Sequence, residues 1–497
     1  MLTESTGSGA TVRVATGIAG LDEVLCGGLT PDRLYVVEGM PGSGKTTLGL
    51  QFLIDGARRG ESVLYVTLSE TTEELRDVAA SHGWDLDGIA IRELVPSQDN
   101  LEPEDQYTMF HPSEVELNET TKAILDEVER SKPKRVVFDS MSEFRLLVGN
   151  ALRYRRQILA LKQFFSGRKC TVLLLDDLTS ASHDLQVQSI AHGALRLEQL
   201  NPEYGAERRR LIVPKFRGVA FRGGYHDYVI RRGGIEVFPR LVAREHSGAA
   251  VKESLRSGIA ELDALLGGGI DRGTSTLIIG AAGTGKSSLA MQYVGAAVQR
   301  GEHAALFLFE EAKKTLLARA AGLGIDLEQP LADGRVTLQQ IDPAELSPGE
   351  FAHAIRRAVD EQHASLVVID SLNGYLNAMP DERFLLIQLH ELLSYLGHAN
   401  VATLLIGAQQ GLIGNQMSSA IDVSYLADAV ILMRYFELEG ELRKVISAVK
   451  KRGGAHEHAI REFRLESGRV SIGPPLREFR GVLTGVPFFE GERAARR

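Results

Sequence analysis

Two stretches of this chain carry the residue types that hold a triphosphate. Gly39-Met40-Pro41-Gly42-Ser43-Gly44-Lys45-Thr46 fits G-x-x-x-x-G-K-[ST] and follows the apolar run Leu34-Tyr35-Val36-Val37. Gly280-Ala281-Ala282-Gly283-Thr284-Gly285-Lys286-Ser287 fits it again and follows Leu277-Ile278-Ile279. In such a P-loop the glycines allow positive φ, so that backbone N–H groups come close to phosphate oxygens, and the lysine adds a point charge at the β/γ-phosphates. Thr47 and Ser288 lie in the first turn of the helix that each loop opens, whose free N–H groups and dipole favour an anion. The hydroxyl of Thr46 or Ser287 is placed to ligate Mg²⁺. A glycine-rich strand-to-helix turn is the ordinary alternative for one such match; two in one chain make chance a poor account.

Carboxylates stand where this chemistry needs them. Arg135-Val136-Val137-Phe138-Asp139 and Leu366-Val367-Val368-Ile369-Asp370 are apolar runs ending in aspartate, and these aspartates suit a Mg²⁺ held through water. A helix N-cap is the alternative for either one alone. Glu70 and Glu310-Glu311 end the strand after each P-loop helix, where a carboxylate can orient or deprotonate an attacking water or hydroxyl. A solvated glutamate at a helix start competes with that reading. Lys215 with Arg217 and Lys450 with Arg452 are cations at alternating positions, which a strand points to one face. They could neutralise γ-phosphate charge in a neighbouring subunit, as arginine fingers do, or simply guard an exposed strand edge.

The elements that must position these groups read as strands alternating with helices. Strands are expected at Ser62–Leu68, Val172–Leu175 and Thr403–Ile406 beside those already named, and a helix over Thr72–Ser81 with Thr71 and acidic first-turn residues at its start. This implies α/β domains with mainly parallel sheets, ligands lying outside the strands' carboxyl ends. Gly17-Ile18-Ala19-Gly20-Leu21-Asp22 returns as Gly258-Ile259-Ala260-Glu261-Leu262-Asp263, at the spacing of 241 positions that also separates Lys45 from Lys286. The chain is therefore a tandem duplication, expected as a flexible start (1–12), a first domain (13–243), a linker (244–254), a second domain (255–478) and a mobile or partner-bound tail (479–497). Composition favours the stretch from about Phe238 to Val251 as linker. A polar stretch between about Pro96 and Glu116 makes the first copy about ten residues longer, and a surface loop is expected there.

A 497-residue chain is too long for one ordinary core. Its net charge of −9 argues against nonspecific duplex DNA binding, which needs a basic footprint. Cys26 and Cys170 are the only cysteines, a scarcity that suits a reducing cytosol. No apolar run is long enough to span a membrane and the start lacks signal-peptide regions, so a cytoplasmic protein is expected.

Two P-loops, the repeated G-I-x-x-L-D element, Glu310-Glu311, the two Lys-x-Arg-Gly elements and His458-Ala459-Ile460-Arg461-Glu462-Phe463 together resemble the KaiC family of circadian-clock ATPases and autokinases, over nearly the whole chain. The resemblance implies two RecA-like domains, ATP and Mg²⁺ as ligands, and a hexameric ring with ATP between subunits, slow hydrolysis in the first domain and phosphoryl transfer near the second. It also implies a signalling protein partner. Carried over by position, Gly42 to Thr47 and Gly283 to Ser288 match the family's phosphate cradles. Ser81, Lys215 and Arg217 match nucleotide contacts of its first domain, and Lys450, Arg452 and His456 those of its second; Arg209 and Lys444 stand where the family has another basic residue.

Three positions depart. Ser69-Glu70 replaces paired glutamates, leaving Glu70 alone as the carboxylate. Leu323 replaces a tryptophan near the adenine. The family's Ser-Thr acceptor pair aligns with Ser424-Tyr425, which leaves Ser424, and after it Ser419, as candidate acceptors against the reading of an ordinary serine. A RecA- or helicase-type DNA-associated ATPase and an ATP-held scaffold with little turnover are the competing functions.

Overall fold

The computed structural model of the chain describes residues 12–94, 112–148, 150–178, 186–202, 205–242, 253–376, 382–409, 423–484 and 488–489. The chain divides into two units, Met1–Arg240 and Leu241–Arg497.

In the first unit α1 (Ala19–Val24) leads to the P-loop strand β1 (Leu34–Gly39) and helix α2 (Lys45–Arg58), then β2 (Val63–Thr67), α3 (Thr72–Ser81), β3 (Ile89–Glu93), α4 (Pro112–Ser131) and β4 (Arg135–Asp139). α5 (Met141–Val148), α6 (Ala151–Ser166), β5 (Thr171–Asp177), α7 (Gln186–Ile190), β6 (Gly193–Leu200), β7 (Arg208–Phe216), β8 (His226–Arg231) and β9 (Gly234–Phe238) follow. The sheet order is β3-β2-β4-β5-β1-β6-β7-β8-β9. β3 through β6 run parallel, and β7, β8 and β9 close the sheet as an antiparallel meander. β1, β2 and β4 are buried at every position. Continuous apolar runs of this kind are what a strand covered by helices on both faces requires. One face packs Leu48, Phe52, Tyr65 and Tyr228. The other packs Phe138, Phe144, Tyr154 and Phe165.

The second unit repeats the plan. β10 (Ser254–Leu255), α8 (Ala260–Leu265), β11 (Ile270–Asp271), β12 (Ser275–Gly280), α9 (Lys286–Gln299), β13 (His303–Leu308), α10 (Lys313–Gly322), α11 (Glu328–Ala332), β14 (Val336–Gln340), α12 (Pro348–Asp360) and β15 (Ala364–Asp370) come first. α13 (Leu372–Leu376), α14 (Glu382–His398), β16 (Ala402–Ala408), β17 (Ala429–Leu438), β18 (Glu441–Lys451), β19 (Arg461–Glu466) and β20 (Arg469–Pro475) complete it. Its sheet order, β14-β13-β15-β16-β12-β17-β18-β19-β20, is the first sheet's order position for position. Two tandem α/β domains with mainly parallel sheets are thus present, as the alternation of strands and helices predicts.

α3 begins where the sequence places it. Thr71 accepts from the Glu74 N–H and the Glu74 carboxylate accepts from the Thr71 N–H at 2.7 Å, a capping box worth about 1 kcal/mol. Three expectations need adjusting. The polar stretch expected as a loop through residue 116 turns helical at Pro112, the start of α4, while 95–111 lie outside the described residues. The composition-based linker takes in Phe238, which is buried as the last residue of β9, and Ser254 of the stretch 244–254 already pairs with Asp271. The stretch expected as a mobile or partner-bound tail contains local structure: β21 (Phe479–Arg480) pairs with β22 (Phe488–Phe489), and Val482 is buried against Phe436 and Val445. Two or three apolar residues suffice for that anchor, too few to give a periodic signal. Among the described residues no helix is long and apolar enough to cross a membrane.

Candidate active site

Both P-loops leave the carboxyl end of the fifth strand in their sheet and open a helix whose N-cap is a glycine in the left-handed region, Gly44 at φ 91° and Gly285 at φ 104°. The positive φ favours glycine at both positions, and a Cβ would in addition displace the tip of Ile230, 2.6 Å from it at Gly44, or the ring of Phe463, 2.7 Å from it at Gly285. No side chain caps either helix, and the first-turn N–H groups remain for an anion. Thr47 and Ser288 are buried in that first turn. The wholly buried Ser43 hydroxyl has no partner, while Thr284 donates to the Ala281 carbonyl at 2.9 Å. A cradle of this shape, with an orphaned hydroxyl and unpaired N–H groups, fits a triphosphate.

The lysines are held differently. Lys286 Nζ donates to the Gly280 and Ala281 carbonyls at 2.9 and 2.8 Å, and burial lowers its pKa. Lys45 Nζ makes the same two contacts, to Gly39 at 3.0 Å and Met40 at 3.1 Å, and adds an ion pair with Asp177 at 2.6 Å.

The expected metal ligands come together in both domains. Thr46 donates to Asp139 at 2.9 Å, and Asp370 lies beside the Ser287 hydroxyl. Burial pushes the pKa of both aspartates up. One hydroxyl and one carboxylate are what Mg²⁺ takes from a protein when triphosphate and water complete its shell. The described residues hold no group of three His, Cys, Asp or Glu able to bind a metal by themselves. Glu70 Oε2 is buried without a partner. Burial first, and then the charges of Asp139, Glu74 and Asp177, push its pKa up to about 7. Glu311, at the equivalent place, is instead ion-paired with Arg319, and its neighbour Glu310 is exposed.

The basic residues split between the two ends of the sheet. Arg209 pairs with Gln199 on β6, and Gln199 Oε1 borders Gly42, so Arg209 lies at the P-loop edge, where it pairs with Glu207. Lys444 pairs with Tyr435, whose hydroxyl donates to Ala282 at 3.3 Å, and so takes the same position in the second domain. Ser81 also lies toward this side: His82 beside it bonds the Arg231 carbonyl at 2.9 Å, and β8 delivers the Tyr228 hydroxyl to Ser43 O at 2.6 Å. Lys215 pairs with Ala194, near the opposite edge. Counting register and strands, it is about 10 Å along and about 10 Å across from the P-loop. β7 ends at Phe216, so Arg217 lies just past the strand and not on it, yet both cations converge on the end of α7, Lys215 on the carbonyls of Gln188 and Ser189 and Arg217 on that of Ser189 at 2.9 Å. Lys450 likewise donates to the carbonyls of Ser424 (2.8 Å) and Ala427 (2.7 Å), and Arg452, just past β18, to that of Tyr425 at 2.6 Å. His456 follows on this far edge, its ring 4.6 Å from that of His458.

A family model for the KaiC ATPase matches residues 14–242 and again 255–477. The chain belongs to the KaiC family. Among curated relatives, the circadian clock protein KaiC3 of Synechocystis sp. is 26% identical over 494 residues, which cover 98% of this chain and 96% of that protein. The circadian clock oscillator proteins KaiC of Picosynechococcus sp. and Synechococcus elongatus are each 26% identical, over 487 and 485 residues, and each match covers 96% of this chain and 92% of the relative.

Within this KaiC-family frame, several groups at the site were not singled out from the sequence. Tyr65 donates to Asp139 at 2.6 Å, yet it sits inside an apolar strand and reads there as core. Asp176 and Asp177 end the apolar run of β5; the signal that found Asp139 and Asp370 also applies to them. Leu323, which the resemblance sets against a tryptophan, is buried in the core. Ser424 is half-buried and Tyr425 exposed; Ser419 lies outside the described residues.

Proposed function

We propose that this chain is a Mg²⁺-dependent ATPase that assembles into a ring, six-membered by its likeness to KaiC, with each pocket completed by cations from the adjacent copy. The observation that carries this is the separation of cradle and cations. Lys215, Arg217, Lys450 and Arg452 belong to the far strand ends and cannot reach the P-loop of their own domain. Charge of that kind is worth a factor of about a thousand or more when brought to a transferring phosphoryl group.

In each pocket the P-loop N–H groups and Lys45 or Lys286 bind the β- and γ-phosphates. Thr46 with Asp139 and Ser287 with Asp370 hold Mg²⁺, which when bound neutralises developing charge on the phosphate oxygens. Glu70 in the first pocket, and Glu310 or Glu311 in the second, orient the attacking oxygen and take its proton. Arg209 and Lys444 contribute from the loop's own side. Ser81 and His456 contact the nucleotide.

We further propose Ser424 as an acceptor for the second domain's γ-phosphate, delivered between copies because Ser424 is tied to Lys450 at the far edge. Nucleotide and phosphorylation state would then be read by a signalling protein partner.

Complementation tests the shared pocket. Lys45→Ala and Arg217→Ala chains, each also carrying Lys286→Ala, should be inactive alone and recover turnover when mixed with Mg-ATP, because some junctions then have an intact cradle facing an intact cation. Arg217→Ala protein retaining full turnover, or a chain that stays monomeric with Mg-ATP by light scattering, would overturn the proposal.

A further inference from the structure

Among the described residues the ion pair between Lys45 and Asp177 has no counterpart in the second pocket, and sheet register shows why. β1 and β5 place Gly39, the last residue before the loop, opposite Asp177. The same two strands in the second domain place Gly280 opposite Ala408. The difference extends one residue outward: Ser142 donates to Asp177 Oδ2 at 2.9 Å, whereas Asn373 spends its amide on the backbone of Ala408 at 2.8 and 3.3 Å.

We propose that Asp177 competes with the triphosphate for Lys45, making the first pocket the weaker nucleotide binder of the two. This rests on the reading that both P-loops take ATP. The carboxylate is 2.6 Å from the ammonium that a β- or γ-phosphate oxygen must reach, and the two anions cannot share it without mutual repulsion. Asp177 is also fixed in place. Its backbone belongs to β5, its second oxygen is held by Ser142, and its side chain is only 25% exposed. Glu70 and Asp139 also face Lys45, but Glu310 and Asp370 face Lys286 in the same way, so Asp177 is the carboxylate that sets the two lysines apart. Lys286 donates only to carbonyl oxygens among the described residues and gives up no ion pair when phosphate arrives.

The test isolates each pocket in the full chain and follows binding of a fluorescent imidotriphosphate analogue of ATP with Mg²⁺. In a Lys286→Ala background, Asp177→Asn should tighten the Kd of the first pocket by about tenfold, the scale of one lost charge repulsion at a partly solvated site. An unchanged or weaker Kd overturns the inference. Should Asp177→Asn fail to fold, the reverse exchange decides: in a Lys45→Ala background, Ala408→Asp should loosen the second pocket by a similar factor, and unaltered affinity overturns the inference. The Lys45→Ala/Lys286→Ala chain separates this from the underlying reading. If it binds the analogue as wild type does, or wild type does not bind, the assignment of the P-loops fails; if those controls behave, only the role of Asp177 is at stake.

Discussion

The two domains share a sheet order and a P-loop, and they differ in the charges set around the lysine. The first pocket faces its lysine with Asp177 and leaves Glu70 Oε2 buried without a partner. The second has Ala408 in place of the aspartate and ties Glu311 to Arg319. The strand carrying the loop differs too: Glu38 is buried in β1 beside Arg196 and Gln188, while the equivalent residue of β12, opposite Gly407 as Glu38 is opposite Asp176, is Ile279. The backbone plan is common to the two domains, and on the reading proposed above a few side chains at the strand ends set how tightly each holds a triphosphate and with what proton chemistry. A duplicated scaffold can diverge in task without any change of fold.

The largest expected effect that probes this contrast is on turnover. In a Lys286→Ala background, Glu70→Gln should lower steady-state ATP hydrolysis by on the order of a hundredfold while leaving analogue binding intact. Retained hydrolysis would remove Glu70 from the chemistry and with it the functional difference between the pockets.

A smaller effect is expected with pH. Glu70 accepts a proton only when ionised, so kcat/KM of the first pocket should rise with pH through about 7. Val78→Arg, which copies the position of Arg319, should move that inflection downward. The same carboxyl contributes to stability with the opposite sense: its pKa is raised on folding from 4.5, so the contribution present below that value is lost as pH climbs to about 7. A first-pocket rate flat between these limits would contradict the assignment.

The smallest effect concerns the helix that follows Glu70. Thr71→Ala removes the capping box of α3, for which α10 has only Ala312 at the N-cap. The first domain should lose about 1 kcal/mol in chemical denaturation and the second nothing. Equal shifts in both transitions would mean that they do not unfold independently.

Much of this site was legible in the sequence, because its signals are local. A strand, a glycine-rich loop and a helix must be contiguous in the chain, so the P-loops announce themselves, and aspartates ending apolar runs do so almost as clearly. The cap at Thr71 was legible for the same reason. What stayed hidden depends on pairing between distant segments. That Asp177 meets Lys45 follows from β5 lying beside β1, a neighbour relation that no spacing in the chain states. That Lys215 and Arg217 lie far from their own loop follows from β7 running antiparallel to β6, which reverses the end at which a residue late in the strand emerges. Tyr65 was hidden by its type: a tyrosine within an apolar run reads as filler until its hydroxyl finds Asp139.

The placement of Lys215, Arg217, Lys450 and Arg452 has a kinetic consequence on the proposed reading. A chain that carries each cradle at one end of a sheet and the complementary charge at the other is an incomplete enzyme when alone. Specific activity should then depend on protein concentration, fading on dilution below the association threshold and returning without any change in the chain itself. Crowding, expression level and any protein that prises copies apart would all act as throttles on turnover.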